Sequence, residues 1–80
     1  MALIKPVQGT SPVIENDVYL AETATVIGDV HIGKDSSIWF NAVLRGDVNA
    51  IRVGKGVNIQ DNAMVHCTYN RTNTIIEDYV

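Results

Sequence analysis

Seven side chains in the second half of this sequence are of types that do chemistry, at short spacing. Arg45 and Asp47 stand two apart. Asn58, Gln60, Asp61 and His66 follow within one short stretch, and Cys67 adjoins the histidine. A neutral imidazole is a good zinc ligand, and an amide or carboxylate beside it can orient the ring or a bound water. An Arg–Asp pair can fix a negatively charged group or brace a turn. Cys67 could supply a thiolate, although a reduced cysteine in a turn is the plainer reading. Each residue also has a bland role. An outward histidine is commonly just solvated, Asp61 and Asn62 are turn formers, and Arg45 with Asp47 makes a surface ion pair worth under about 1 kcal/mol. His31 stands apart, with no polar cluster around it.

The elements that must position these residues announce themselves by a period. Large aliphatic residues stand six apart at Leu20, Val26, Ile32, Ile38 and Leu44. Val53 follows with three extra residues intervening, Ile59 and Val65 resume the step, and Ile76 follows after five extra. Small or β-branched residues precede most of these anchors by two: Ala24, Val30, Ser36, Ala42 and Ala63. Gly28, Gly33, Gly46, Gly54 and Gly56 fall between anchors, where a sharp turn needs positive φ or a missing side chain. A step of six with Val and Ile dominant is neither helical nor a β-meander. It points to a parallel β-helix whose coils have three flat sides. The alternative is a small antiparallel sheet with glycine-rich turns.

The expected fold class is therefore all-β, a parallel β-helix of about three coils over residues 18–80, after an N-terminal lead-in over residues 1–17. The coils run over 20–37, 38–58 and 59 onward. Stacked at strand spacing, about 4.8 Å, like anchors meet like. Leu20, Ile38 and Ile59 line one side. Val26, Leu44 and Val65 line the next, and Ile32, Val53 and Ile76 the third. Residues flanking an anchor point outward. Trp39, Asn58 and Gln60 then project from the first side, and Arg45 and His66 from the second, one strand spacing apart. Asp47, Asn58, Gln60 and Asp61 should gather with them near one edge of the prism, with His31 on another side.

Composition bounds the function. The chain has 80 residues, room for one small domain. A single cysteine excludes an internal disulfide, and two histidines with one cysteine nearly exclude a closed four-ligand zinc site within one chain. Six basic against nine acidic residues give a net charge of −3 without a Lys/Arg cluster, which argues against nucleic-acid binding. No long apolar run or signal peptide is visible, so the expectation is a soluble cytoplasmic protein that does not engage a membrane.

The ordered string Gly28-Asp29-Val30-His31-Ile32-Gly33, Ser36-Ser37-Ile38-Trp39, Val43-Leu44-Arg45-Gly46-Asp47-Val48-Asn49, Asn58-Ile59-Gln60-Asp61 and Val65-His66 resembles the γ-class carbonic anhydrase family, and the resemblance runs from about Val7 to Val80, essentially the whole chain. That resemblance implies a left-handed β-helix assembled as a homotrimer. It implies zinc or iron(II) at each subunit interface, held by three histidines, two from one subunit and one from its neighbour. His66 matches the first metal ligand. Gln60 matches a residue that positions the attacking water, and Asn58 a polar neighbour implicated in catalysis. Arg45 and Asp61 match a pair bridging subunits beside the site, and Asp47 a neighbouring acid. The implied reaction is reversible hydration of carbon dioxide to bicarbonate, with the metal activating water.

The sequence departs from the family pattern in three ways. The coil carrying the other two histidines and the terminal helix are not reached by Val80. The insertion over residues 68–74 holds no glutamate, and Val48 stands where the prototype has an acid. This resembles the short-loop branch, whose members often carry hexapeptide-transferase names and whose anhydrase activity is uneven. A hexapeptide acyltransferase and a non-catalytic assembly subunit are the competing functions. The expectation is an N-terminal portion of a longer protein, inactive by itself. Mass spectrometry tests it: a single 8.7 kDa species, monomeric and cooperatively folded in ultracentrifugation, would overturn it.

Overall fold

A computed structural model describes residues 2–66 and 73–80. Among them are nine strands, kept short by corners: β1 (Leu3–Lys5), β2 (Val13–Ile14), β3 (Tyr19–Leu20), β4 (Thr25–Ile32), β5 (Ser37–Ile38), β6 (Val43–Val53), β7 (Asn58–Ile59), β8 (Met64–His66) and β9 (Thr74–Ile76). The corners follow from local chemistry. Asp17, Asp35 and Gly56 recur at one corner with φ near +60°, and Asn41 and Asn62 do so at the next. Short Asp and Asn side chains tolerate the left-handed region by hydrogen bonding locally, and glycine has no side chain to clash.

All pairings between these strands are parallel. Side one is β3-β5-β7. Side two stacks β1, the first half of β4, the first half of β6, and β8. Side three stacks β2, the second halves of β4 and β6, and β9. The result is a β-solenoid of about three turns, and no helix occurs among the described residues. The anticipated register holds on every side: Leu20–Ile38–Ile59, Val26–Leu44–Val65 and Ile32–Val53–Ile76 are aligned partners. The three-residue insertion appears as a bulge, where two steps of β4 (Gly28 to Val30) face five of β6 (Gly46 to Ile51).

The core is the inward column. Val26, Ile32, Ile38, Leu44 and Ile51 are fully buried, each contributing roughly 1.5–3 kcal/mol by leaving water. Ala24, Val30, Ser36 and Ala42 fill the second inward series, and Ala63 packs against its open end. Gly28 and Gly46 lie opposite each other. A Cβ on Gly28, where φ is +76°, would sit 2.3 Å from the Gly46 carbonyl oxygen, so only glycine lets the two rungs approach there.

The lead-in differs from expectation. Its Pro and Gly residues interrupt it, yet β1 and β2 add a rung, with Ile4 aligned on Val26 and Ile14 on Ile32. Ile14 is six residues before Leu20, so the period reaches back one further step. At the other end, Ile76 and Val65 are half-buried, and Met64 and Ile75 are exposed.

Ser36 is the buried polar residue of the column. Its hydroxyl donates to the Gly54 carbonyl at 3.0 Å and accepts the Val57 N–H at 3.1 Å. Ser36→Ala strips both bonds from a buried position and is expected to cost about 1–3 kcal/mol, read as a fall in Tm by circular dichroism. An unchanged Tm would show that these groups find other partners.

Candidate functional site

The register puts Arg45 of β6 directly beside His66 of β8, with Ile27 of β4 on the other flank of Arg45. The strand-spacing adjacency expected for Arg45 and His66 is thus present. Both are exposed on side two. Thr74 donates its hydroxyl to the His66 carbonyl at 2.9 Å, anchoring the backbone there. Arg45 Nε meets Asp47 Oδ2 at 3.2 Å. The other carboxylate oxygen, Asp47 Oδ1, is buried and has no partner among the described residues. Asp47 borders a polar cleft of about 450 Å³ that Gln8, Thr10 and Asp29 also line.

Asn58 and Gln60 stand on side one instead. Asn58 lies in the outward row with Tyr19 and Ser37. Its Oδ1 accepts the Trp39 indole N–H at 2.8 Å and the Ser37 hydroxyl at 2.9 Å. Gln60 follows Ile59 and is exposed. Asp61 occupies the corner between the two sides, where its Oδ1 accepts the Phe40 N–H at 3.2 Å. Asn62, at φ +63°, donates its backbone N–H to the Phe40 carbonyl at 2.9 Å. Both therefore serve the turn.

The structure thus divides the expected cluster. Arg45 and His66 share side two, Asp47 opens the bulge that follows it, Asn58 and Gln60 belong to side one, and Asp61 sits between the two sides. No hydrogen bond or ion pair joins the two groups among the described residues. Cys67 and most of the 68–74 insertion lie outside the described residues.

His31 is not isolated. Its Nε2 lies 2.5 Å from Glu15 Oε2, and the Glu15 Oε1 accepts the Lys34 N–H at 3.3 Å. Arg52, its neighbour in register, pairs with Asp29 at 2.9 Å. Sequence reasoning missed this group because Glu15 was set aside with the lead-in. A cavity of about 640 Å³ also opens here, beside His31, Arg52, Ile75 and Ile76. It borders the exposed last rung and lies away from His66, so we read it as the open end of the column. Trp39 and Ser37 are the other residues the sequence underweighted. Trp39 projects from the same side as Asn58 and Gln60, and the signal was its unassigned indole N–H.

A β-solenoid built on six-residue sides, with polar residues in outward rows, defines the class. The chain carries the hexapeptide-repeat pattern: residues 11–46 match the bacterial transferase hexapeptide (six repeats) model. Several homologues that match 70% of this chain are named gamma carbonic anhydrases, and one that matches 95% of it, from Bacillus subtilis, is named an uncharacterized transferase. It is 64% identical to gamma carbonic anhydrase 2, mitochondrial, of Arabidopsis thaliana over 70% of this chain and 20% of that protein. It is 46% identical to a carbonic anhydrase of Geobacillus kaustophilus over 98% of this chain and 42% of that one. A crystal structure of a hexapeptide transferase family protein from Anaplasma phagocytophilum superposes with a TM-score of 0.88 at 46% identity, covering 95% of this chain and 43% of that chain. The chain spans less than half the length of these relatives.

Glu15 supplies a pH test of the first rung. The hydrogen bond from His31 is the main cause holding its carboxyl below the usual value of 4.5. A carboxyl lowered by folding contributes stability that is present above its unfolded pKa and lost as pH falls through the folded one. Glu15→Gln should therefore flatten the loss of stability below pH 4.5, measured as urea midpoints across the acid range. An identical acid slope in both proteins would refute the linkage.

Proposed function

We propose that this chain is the β-helical part of a γ-class carbonic anhydrase-like protein that acts on carbon dioxide and bicarbonate as a homotrimer. The observation that carries the reading is the register of Arg45 on His66 with Asp47 paired to Arg45, on a chain 64% and 46% identical to proteins named carbonic anhydrases. The same similarity implies a metal, and zinc or iron(II) is the proposed identity.

The chain's own donors do not complete a metal site. Among the described residues no group of three His, Cys, Asp or Glu side chains is placed to hold an ion, and the register neighbour of His66 is a cation. His66 would thus be one contributor, with further ligands from elsewhere, and no catalytic step is assigned to the metal from this chain. When bound, such a metal lowers the pKa of water toward neutrality. The chain's residues supply the surroundings. Gln60 would orient the attacking water, Asn58 would contact the substrate, and Arg45, Asp47 and Asp61 would brace the adjoining surface. Assembly has separate support. Outward residues of sides one and two lie on different sheets, so a second copy is a way for the two groups to face each other. It could also bring a donor to the orphaned Asp47 Oδ1.

A transferase reading draws on the name of the Anaplasma relative and on the family model. It is weakened by the 68–74 insertion, which lacks a histidine to act as general base. A non-catalytic assembly role fits the lack of a convergent ligand set among the described residues.

Elemental analysis of protein purified without oxygen separates these readings. Bound zinc or iron that disappears in His66→Ala is the expected result. Where the completed metal site supports hydration, Gln60→Ala should lower the stopped-flow rate about 10- to 100-fold. Absence of metal in the intact protein would favour the assembly role. Acetyl-coenzyme A turnover without hydration would favour the transferase.

A further inference from the structure

The Asn58 amide is gripped at one end. The Trp39 Nε1–H points at Oδ1 across 2.8 Å, and the Ser37 hydroxyl donates to the same oxygen across 2.9 Å. An indole N–H only donates. The amide atom it faces must be the carbonyl oxygen, so the usual ambiguity between amide O and N is resolved by chemistry. Trp39 is itself held. Its ring lies 4.9 Å from that of Tyr19 at 47°, and its N–H is shared with Ser37 Oγ at 3.0 Å. With Oδ1 taken on this side, Nδ2 and its two N–H groups are what exposed Asn58 offers to solvent.

We propose that Trp39 and Ser37 are positioning residues that lock the Asn58 amide with its N–H donors outward, so that side one of the site receives an anionic oxygen of the carboxylate or carbonate class. The inference rests on the reading of the site as one that handles bicarbonate, and it adds the residues that set the polarity of one wall. The opposite amide orientation would present a carbonyl oxygen and repel the same ligand. Three residues from three consecutive strands of one sheet, Tyr19, Ser37 and Asn58, together with Trp39, make this a built arrangement. A surface amide alone would rotate freely.

The test uses the full 80-residue chain labelled with nitrogen-15, titrated with sodium bicarbonate and separately with sodium formate. The Asn58 side-chain amide and the Trp39 indole signals are followed. Trp39 is the sole tryptophan, so its indole signal needs no further assignment. Both anions are expected to shift both signals. Trp39→Phe keeps a ring against Tyr19 and deletes the N–H, and should weaken the apparent anion affinity roughly two- to tenfold. Ser37→Ala should act in the same direction, and it guards against failure of the tryptophan variant to fold. Asn58→Asp separates positioning from mere structure. It keeps an acceptor for Trp39, so the indole signal should stay near its wild-type place, but it has no donors, so the anion response should vanish. Unchanged affinity in both Trp39→Phe and Ser37→Ala overturns the proposal. So does an anion response retained in Asn58→Asp, or no shift of the Asn58 signal with either anion. Anion shifts that depend on Trp39, alongside a metal-loaded protein that does not hydrate carbon dioxide, would sink the carbonic anhydrase reading and leave the positioning role standing.

Discussion

Each inward aliphatic side chain of this molecule must land on its counterpart one rung away, and the rest of the structure depends on that stacking. Rungs lie about 4.8 Å apart, so Val26, Leu44 and Val65 form a continuous apolar column with no room for a slipped register. A slip of one residue would turn every inward side chain to solvent. The constraint explains why all pairings between strands are parallel. It also explains the left-handed Asp and Asn corners, and the glycines where backbones of successive rungs touch at Gly28 and Gly46. The bulge opposite Asp29 is tolerated because Val48 within it packs against the core and the column resumes at Ile51.

Outward rows inherit the same register without having chosen it. That is how Arg45 comes to lie beside His66, and Tyr19, Ser37 and Asn58 in one line. The corner that lets the chain turn also divides what the sequence keeps close. Asn58 and His66 are eight residues apart and belong to different sheets. Asp61 and Asn62, between them, are occupied by holding Phe40. In this fold, proximity along the chain is a weaker guide to a site than membership of a row.

That contrast marks what was legible. The anchors could be read because hydrophobic period and sheet register are the same quantity in a solenoid, so all three columns followed from spacing alone. The first rung was not read. The step from Ile4 to Ile14 is ten residues and is crossed by Pro6, Gly9 and Pro12, which breaks the period while the strands still pair. Setting that segment aside hid Glu15, and with it the partner of His31. The corners were read through glycine and Asn62, yet Asp17, Asp35 and Asn41 adopt positive φ as well. The side-chain hydrogen bonds of Ser36 and Asn58 were also invisible, because spacing gives direction in or out and says nothing of which polar atom finds which partner.

Fold and chemistry consequently scale differently in this architecture. A solenoid gains stability rung by rung from nearest neighbours, so a few turns already bury Ile32, Ile38 and Leu44 completely. A metal centre has no such additivity. It needs several donors converging on one point, and outward side chains on separate sides of a prism diverge. The described residues reflect this: a well-packed column carries a single imidazole on side two, beside a guanidinium, with no convergent ligand set. What one surface can prepare is polarity. Asn58, held by Trp39 and Ser37, and Asp47, with one oxygen unpaired among the described residues, are arranged within this one surface. An oriented donor already in place need not be ordered again at the moment of binding, which is the physical advantage of fixing a polar group on a rigid sheet.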